Sequence, residues 1–286
     1  MLPNKVDALL GRFEGVSNET YHNELTYAVS KSDLDAVELS PSNLIQKRNG
    51  PRVESDALLF GQAFHARLEH FDNQDAYLNM VAVPPSLSRA TKEGKEAHAK
   101  FEAENAGKLI LDSKEWDLLE NMLLAVKAHP DANALLSAKG IAEETFVWQD
   151  PDTGVICKCR PDKRLLEAPA GLPDGMVLDW KTARSCERRD LRNSIAEYRY
   201  HVQAAFYLDG IRAVLGHDVG PFVHAFIEKG NRFRVVLGVV GEHSIEEGRK
   251  AYKAELAKIA ECQKDNVWPG FVDFELPTWA LLGGGI

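Results

Sequence analysis

No run of apolar residues in this 286-residue chain approaches the roughly 18 to 20 needed to cross a bilayer, so no membrane-spanning helix is expected. The start, "MLPNKVDALLGRFEG", lacks a basic segment followed by an apolar one, and no secretory leader is expected there. Cysteine is scarce. The four residues Cys157, Cys159, Cys186 and Cys262 show no regular framework, which suits a reducing cytoplasm. Cys157 and Cys159 are spaced C-x-C rather than in the tighter paired spacing of zinc and iron–sulfur sites, so all four read as structural thiols. No G-x-x-x-x-G-K-[ST] stretch occurs, which excludes a nucleotide-driven motor of that kind. Repeats and low-complexity tracts are also absent.

Against these absences stands an ordinary globular composition, 44% hydrophobic and 27% charged, in a chain long enough to bury a substantial core. The net charge of −9 argues against a protein that coats nucleic acid non-specifically. It leaves room for a local basic strip, and "RSCERRDLRNSIAEYRYH" carries Arg184, Arg188, Arg189, Arg192 and Arg199. That strip reads either as a solvated helix face or as a grip for phosphates.

Residues 17–50 read as a loop followed by short helices, one starting at Ser32 with Asp35 in its first turn and the next at Pro41. "ESDALLFGQAFHARLEHFD" carries Leu58, Phe64, Leu68 and Phe71 at roughly helical spacing and predicts a helix. After the break "VPPSLSR", residues 89–108 predict a solvated helix, and "DSKEWDLLENMLLAVKAHP" predicts a capped amphipathic one ending before Pro130. The period then changes. "EETFVWQD", "VICKCRPDKRLLE" and "MVLDWKTA", separated by Pro/Gly/Asp turns, predict three strands in an antiparallel meander. A helix from about Arg192 to Leu215 follows. Strands in "FVHAFIEKG" and "RFRVVLGVV", joined around "GNR", and a long helix in "SIEEGRKAYKAELAKIAECQKD" complete the pattern. It fits one α/β domain over residues 1–286, helical over about 17–135 and sheet-based over about 140–286.

Aspartate is a poor strand former, yet Asp162 and Asp179 fall within two of these apolar runs. Alternation places Asp179 and Lys181 on one face of their strand and Trp180 on the other. The intervening turn can bring Asp162 beside Asp179. Two carboxylates meeting at a sheet edge repel unless a cation joins them, and hard ions such as Mg²⁺ or Mn²⁺ suit oxygen ligands. Lys181, an ammonium next to such an ion, is suited to orient or deprotonate water and to stabilise charge on a phosphoryl oxygen. The bland alternative is two surface acids and an exposed lysine.

"RPD" followed by "LDWKTA", with Asp162, Asp179 and Lys181, resembles the PD-(D/E)xK nuclease signature. Gly61 and His65 in "GQAFH" are similar to the GxxxH helix of the branch that contains RecB and RecE, and Gln203 and Tyr207 in "QAAFY" to its QxxxY helix. With "YHNELTYAVSKSDLDAV" and "VWPGF", the likeness runs from about Ser17 to Trp279 and follows the order of the RecE-type exodeoxyribonuclease VIII C-terminal domain. It implies an α/β restriction-endonuclease-like core, with a central mixed sheet flanked by helices and N-terminal helical additions. It further implies metal ligation by His65, Asp162, Asp179 and the Trp180 carbonyl, and a glutamate near the site in the first strand of the meander. Alternation turns only one of Glu143 and Glu144 inward, and spacing to Trp148 favours Glu143. Lys181 would position the attacking hydroxide, while Gln203 and Tyr207 would contact DNA or brace the site. Arg188, Arg192 and Arg199 are the phosphate contacts to be expected, with Tyr200 placed to stack on a base. Ser30, Lys31 and Ser32 either cap a helix or anchor a 5′-phosphate at its N-terminus.

The implied activity is that of a Mg²⁺-dependent exodeoxyribonuclease, with Mn²⁺ as a substitute ion. It would degrade linear double-stranded DNA 5′→3′ without regard to base sequence, leaving 3′ single strands for a RecT-type annealing protein. A phage recombination setting and a homo-tetramer ring accompany the likeness. The rivals are a RecB-like nuclease subunit working beside a separate helicase, and a catalytically silent DNA-binding scaffold. The intact Asp162, Asp179 and Lys181 count against the scaffold.

Overall fold

The computed structural model describes residues 9–51, 55–230 and 232–271. The first residues, Asn231 between the last two expected strands, and the tail that carries the resemblance on to Trp279 lie outside the described residues. A short strand β1 (Gly11–Phe13) leads through a π-helical turn (Thr20–Glu24) and a 3₁₀ turn (Leu25–Tyr27) into α1 (Lys31–Leu39) and α2 (Pro41–Asn49). α1 begins earlier than expected. Its N-cap is Ser30, whose N–H donates to the Asp33 carboxylate at 2.9 Å, so the capping pair is Ser30 with Asp33 and not Ser32 with Asp35.

Next come α3 (Asp56–Glu69), α4 (Gln74–Leu78), β2 (Val81–Ala82), α5 (Lys92–Glu104), β3 (Leu109–Ile110), α6 (Ser113–Ala128) and α7 (Pro130–Ser137). Pro130 ends α6 as expected but also opens α7, because proline suits a first helical turn. The strands β4 (Gly140–Ala142), β5 (Thr145–Gln149), β6 (Ile156–Cys159), β7 (Lys163–Leu165) and β8 (Val177–Ala183) follow. Helices α8 (Arg188–Glu197) and α9 (Tyr200–Leu215) link β8 to β9 (Phe222–Glu228), and β10 (Val235–Val239) and α10 (Glu242–Asp265) come last.

The expected meander does not form as one sheet. One sheet has the order β10-β9-β8-β7-β4, with β8 and β9 parallel and the other pairs antiparallel; β5 and β6 instead join β1 in a second, three-stranded sheet. Two segments therefore pass between sheets, Glu143-Glu144 from β4 to β5 and Arg160-Pro161-Asp162 from β6 to β7. Pro161 has no N–H to give to a ladder, which breaks the long run "VICKCRPDKRLLE" at this point. The two crossings are tied together, the Glu143 N–H donating to the Asp162 carbonyl at 3.1 Å.

The helix expected from Arg192 to Leu215 is also two pieces, because Arg199 between α8 and α9 takes left-handed backbone with φ 53°. A β-carbon makes that conformation costly. The Arg199 guanidinium is anchored on both sides, by Asp35 at 3.0 Å and by Glu255.

One face of the five-stranded sheet, with Leu178, Trp180, Val223, Ala225 and Ile227, is covered by Phe60, Phe64 and Leu68 of α3 and by Leu119, Met122 and Val126 of α6. The opposite face presents Val177 and Phe222 to a second core, where Phe206 of α9 meets Trp148, Cys157, Tyr252 and Leu256. Leu58, expected on the buried side of α3, is 42% exposed. All four cysteines are free and buried. No helix among the described residues is long and apolar enough to cross a membrane.

α9 and α10 approach closely at Gly248, where a β-carbon would stand 2.3 Å from the His201 carbonyl oxygen. Backbone would have to move to admit it. Gly248→Ala is therefore expected to cost about 1–3 kcal/mol and to lower the Tm of thermal unfolding by several degrees. An unchanged Tm would show that the two helices separate freely here.

Candidate active site

The two sheet crossings bring Glu143 and Asp162 together, and α3 adds His65 from the helix layer. One ligand atom from each of the three lies within 4.8 Å of the other two. His65 Nδ1 stands 3.1 Å from Asp162 Oδ1, and Asp162 Oδ2 accepts the Trp180 N–H at 2.6 Å. The β7–β8 register pairs Lys163 with Leu178, so Asp162 comes one step on, level with Asp179. Glu143 holds φ 50°, a backbone strain that persists only where the surroundings impose it. Arg160 grips its carboxylate at 2.8 Å. Glu144 points elsewhere: it is fully buried and taken by the Arg164 fork at 2.7 and 3.0 Å. Neither glutamate lies in a strand, so alternation along β5 does not decide between them; the crossing does.

Burial raises the Glu143 carboxyl to about 7, and the charge of Asp162 adds to the effect. Burial alone would lower the His65 imidazole, but Asp162 beside it outweighs that and the net shift is upward. One imidazole nitrogen and two carboxylate oxygens suit a small divalent ion. Ligands on one ion at bonds of about 2.1 Å stand at most about 4.2 Å apart, so the trio needs only a slight contraction to share one.

On β8, Asp179 is buried and engaged through both oxygens. Gln203 donates to Oδ1 at 2.7 Å, while Lys181 Nζ and His224 Nδ1 stand 2.5 and 3.3 Å from Oδ2. Burial would raise this carboxyl, but Lys181 and then His224 hold it well below the usual range. Lys181 is lowered by burial and raised more strongly by Asp179 and Asp162, so it is an ammonium at neutral pH. In that state it is suited to orient a group or to stabilise negative charge beside it. Asp179 adjoins the trio without belonging to it. Trp180 meets the site through its N–H, and its indole lies in the core.

The remaining expected residues divide. Gln203 and Tyr207, one turn apart on α9, line a cavity of about 600 Å³ next to Lys181. Gln203 braces Asp179 and is buried, and the Tyr207 ring rests on Phe206 and Phe222. Lys31 reaches the same cavity but is held by Asp35 at 2.7 Å and by the Tyr198 carbonyl at 2.6 Å. Arg199, expected on phosphate, is instead turned inward to Asp35 and Glu255. Arg184, Arg188, Arg189 and Arg192 are exposed and make no ion pair among the described residues.

Two residues escape sequence reasoning. His224 lies level with Asp179 across the parallel β8–β9 pair, and its Nε2 is 3.3 Å from the Tyr200 carbonyl. Its one signal is a polar ring inside the apolar strand "FVHAFIE". Arg160 links Glu143 to Asn18, at 2.5 Å, and lies 4.2 Å from the centre of the Tyr21 ring. Nothing in its spacing announces that role.

Residues 30–273 match the family described as a PDDEXK-like domain of unknown function (DUF3799). The fold is similar to the crystal structure of a candidate exonuclease from Eubacterium rectale, with a TM-score of 0.57 over 95% of this chain and 100% of that chain. At 14% identity that likeness shows the fold alone. No curated protein matches the sequence. With the family match spanning most of its length and a mixed sheet carrying the Asp162, Asp179 and Lys181 motif, the chain belongs to the PDDEXK-like domain family.

Proposed function

We propose that this chain is a divalent-metal-dependent deoxyribonuclease, acting as a single nuclease domain on the ends of linear double-stranded DNA. One arrangement supports the reading. His65, Glu143 and Asp162 converge at the sheet crossing, while the neighbouring strand holds an ammonium, Lys181, against a buried carboxylate. The trio, with Asp179 adjoining, would hold Mg²⁺ or Mn²⁺. Bound there, such an ion supplies Lewis-acid polarisation of a phosphoryl oxygen and acidifies a water.

The protein's own groups supply orientation. Asp179 keeps Lys181 protonated, and Gln203 and His224 keep Asp179 in place, so the ammonium is aimed where charge develops on the phosphodiester. The exposed Arg188 and Arg192, with Arg184 and Arg189, none of them in an ion pair among the described residues, offer positive charge to other phosphates. Such contacts position a strand without reading its bases. Membership of the PDDEXK-like family supports a nuclease. The 5′→3′ polarity, the 3′ single-stranded product, an annealing partner and a ring tetramer rest on the resemblance to RecE-type enzymes.

A magnesium-dependent time course on end-labelled linear duplex, with a covalently closed circle as control, tests the reading. Loss of 5′ label from the linear DNA with the circle intact is expected; equal cutting of both would remove the exonuclease assignment. Lys181→Ala is expected to slow cleavage by about 100-fold or more while circular dichroism and metal-free DNA binding stay unchanged. Full activity in that variant would exclude the role given to Lys181. Below about pH 7 Glu143 carries a proton that an ion has to displace, and His65 acts in the same direction. Calorimetric titration with Mn²⁺ should therefore show affinity falling from pH 8 to pH 6, by up to about tenfold per unit for each proton displaced. An affinity indifferent to pH would take both residues out of the ligand set.

A further inference from the structure

The cavity beside Lys181, about 600 Å³, falls in the size range of small-ligand pockets rather than of a groove for a duplex. Its positive charges are already engaged. Lys181 lies on Asp179, Lys31 on Asp35, and Arg199 on Asp35 and Glu255. Glu38 and Glu197 add negative charge to the lining. Ser30 and Ser32 at the start of α1 add hydroxyls to that lining, but Ser30 caps the helix with Asp33 and Ser32 accepts from Lys47.

What is free is aromatic surface. Tyr198, 53% exposed, follows the end of α8, and Tyr200 opens α9. On a continuous helix, residues two apart do not face each other. The left-handed backbone at Arg199 brings these two to one side, with ring centres 5.6 Å apart and planes inclined by 31°. Tyr200 is backed by His224, at 5.1 Å, and by Phe226, at 6.0 Å, and its ring centre lies 5.1 Å from the Lys181 ammonium. An aromatic column thus runs from the site lysine to solvent. Backbone strain of the kind seen at Arg199 gathers at ligand clamps and needs imposed support. The carboxylates of α1 and α10 on either side of its guanidinium supply that support.

We propose that Tyr198, continuing the column through Tyr200, is a stacking platform for an unpaired nucleobase of the strand being cut. The strand end enters the cavity single-stranded and is held by its base faces. Only the scissile phosphate meets Lys181, and the phosphates beyond it lie along the exposed arginines of α8. Stacking on an aromatic face tolerates any base, which agrees with hydrolysis indifferent to sequence. This rests on the nuclease reading above and adds to it the form in which the substrate is bound.

The test is fluorescence titration of the full chain, in EDTA, with a single strand carrying 2-aminopurine near its end and with an abasic strand of equal length. The base-bearing strand is expected to bind about tenfold or more tightly than the abasic one, with its fluorescence quenched. Tyr198→Ala, checked for folding by circular dichroism, should abolish both the preference and the quenching while leaving the salt dependence of binding unchanged; Tyr198→Trp should keep both. Equal binding of the two strands by the wild type, or quenching that survives Tyr198→Ala, overturns the proposal. Base-dependent binding by a chain that cleaves nothing with Mg²⁺ would uphold the platform and remove the nuclease reading, whereas cleavage without base-dependent binding would remove the platform alone.

Discussion

Glu143 and Asp162 carry like charges and are held within ligand reach of each other where two strand segments pass between sheets. Two carboxylates so placed in a partly buried setting cannot both ionise without counter-charge. The fold supplies part of it through Arg160 on Glu143 and through His65 and the Trp180 N–H on Asp162. Even so the Glu143 carboxyl is raised to about 7, by burial first and by the charge of Asp162 second. A site that is short of positive charge and lined by an imidazole and two carboxylates is matched to a divalent cation.

Around that centre the two faces of β8 have separate tasks. Trp180 turns into the core under α3 and α6, and its N–H secures Asp162. Asp179 and Lys181 turn the other way, where β9 contributes His224 and α9 contributes Gln203. The consequence is a site with two open sides. A small cavity of about 170 Å³ is lined by His65, Glu143 and Asp162, and the larger one by Lys181, Gln203 and Tyr207. The donor set lines the smaller cavity and the ammonium the larger one, with Asp162 near enough for its charge to act on Lys181. The long ion-paired arm of Arg199 braces the wall of the larger cavity, joining α1, α9 and α10.

Much of this was legible in the residues. The pleat of "MVLDWKTA" places Asp179 with Lys181 and opposes Trp180, and the structure keeps that arrangement because one face of the strand is needed by the core. His65 on α3, the paired Gln203 and Tyr207, the free buried cysteines and the mixed sheet flanked by helices follow from periodicity and from the family resemblance. The helix break at Arg199 was not legible, because its left-handed backbone depends on Asp35 and Glu255, 164 and 56 residues away. The start of α1 slipped from Ser32 to Ser30 because two Ser/Asp pairs of equal spacing compete in "SKSDLD", and Asp33 is the one also held by Lys47 and Arg48. Arg199 itself, chemically suited to phosphate, was drawn inward by partners that no local pattern reveals.

By itself the sequence determined what depends on neighbours along the chain: helix and strand periods, the shared face of Asp179 and Lys181, and the supply of ligand-type side chains. Only the tertiary structure decided which carboxylates meet. Pairing of β5 with β1, of β7 with β8 and of β8 with β9 is chosen by the burial of whole sheet faces, a long-range balance to which no single residue holds the key. That choice turned Glu143 rather than Glu144 toward Asp162, and set His224 level with Asp179.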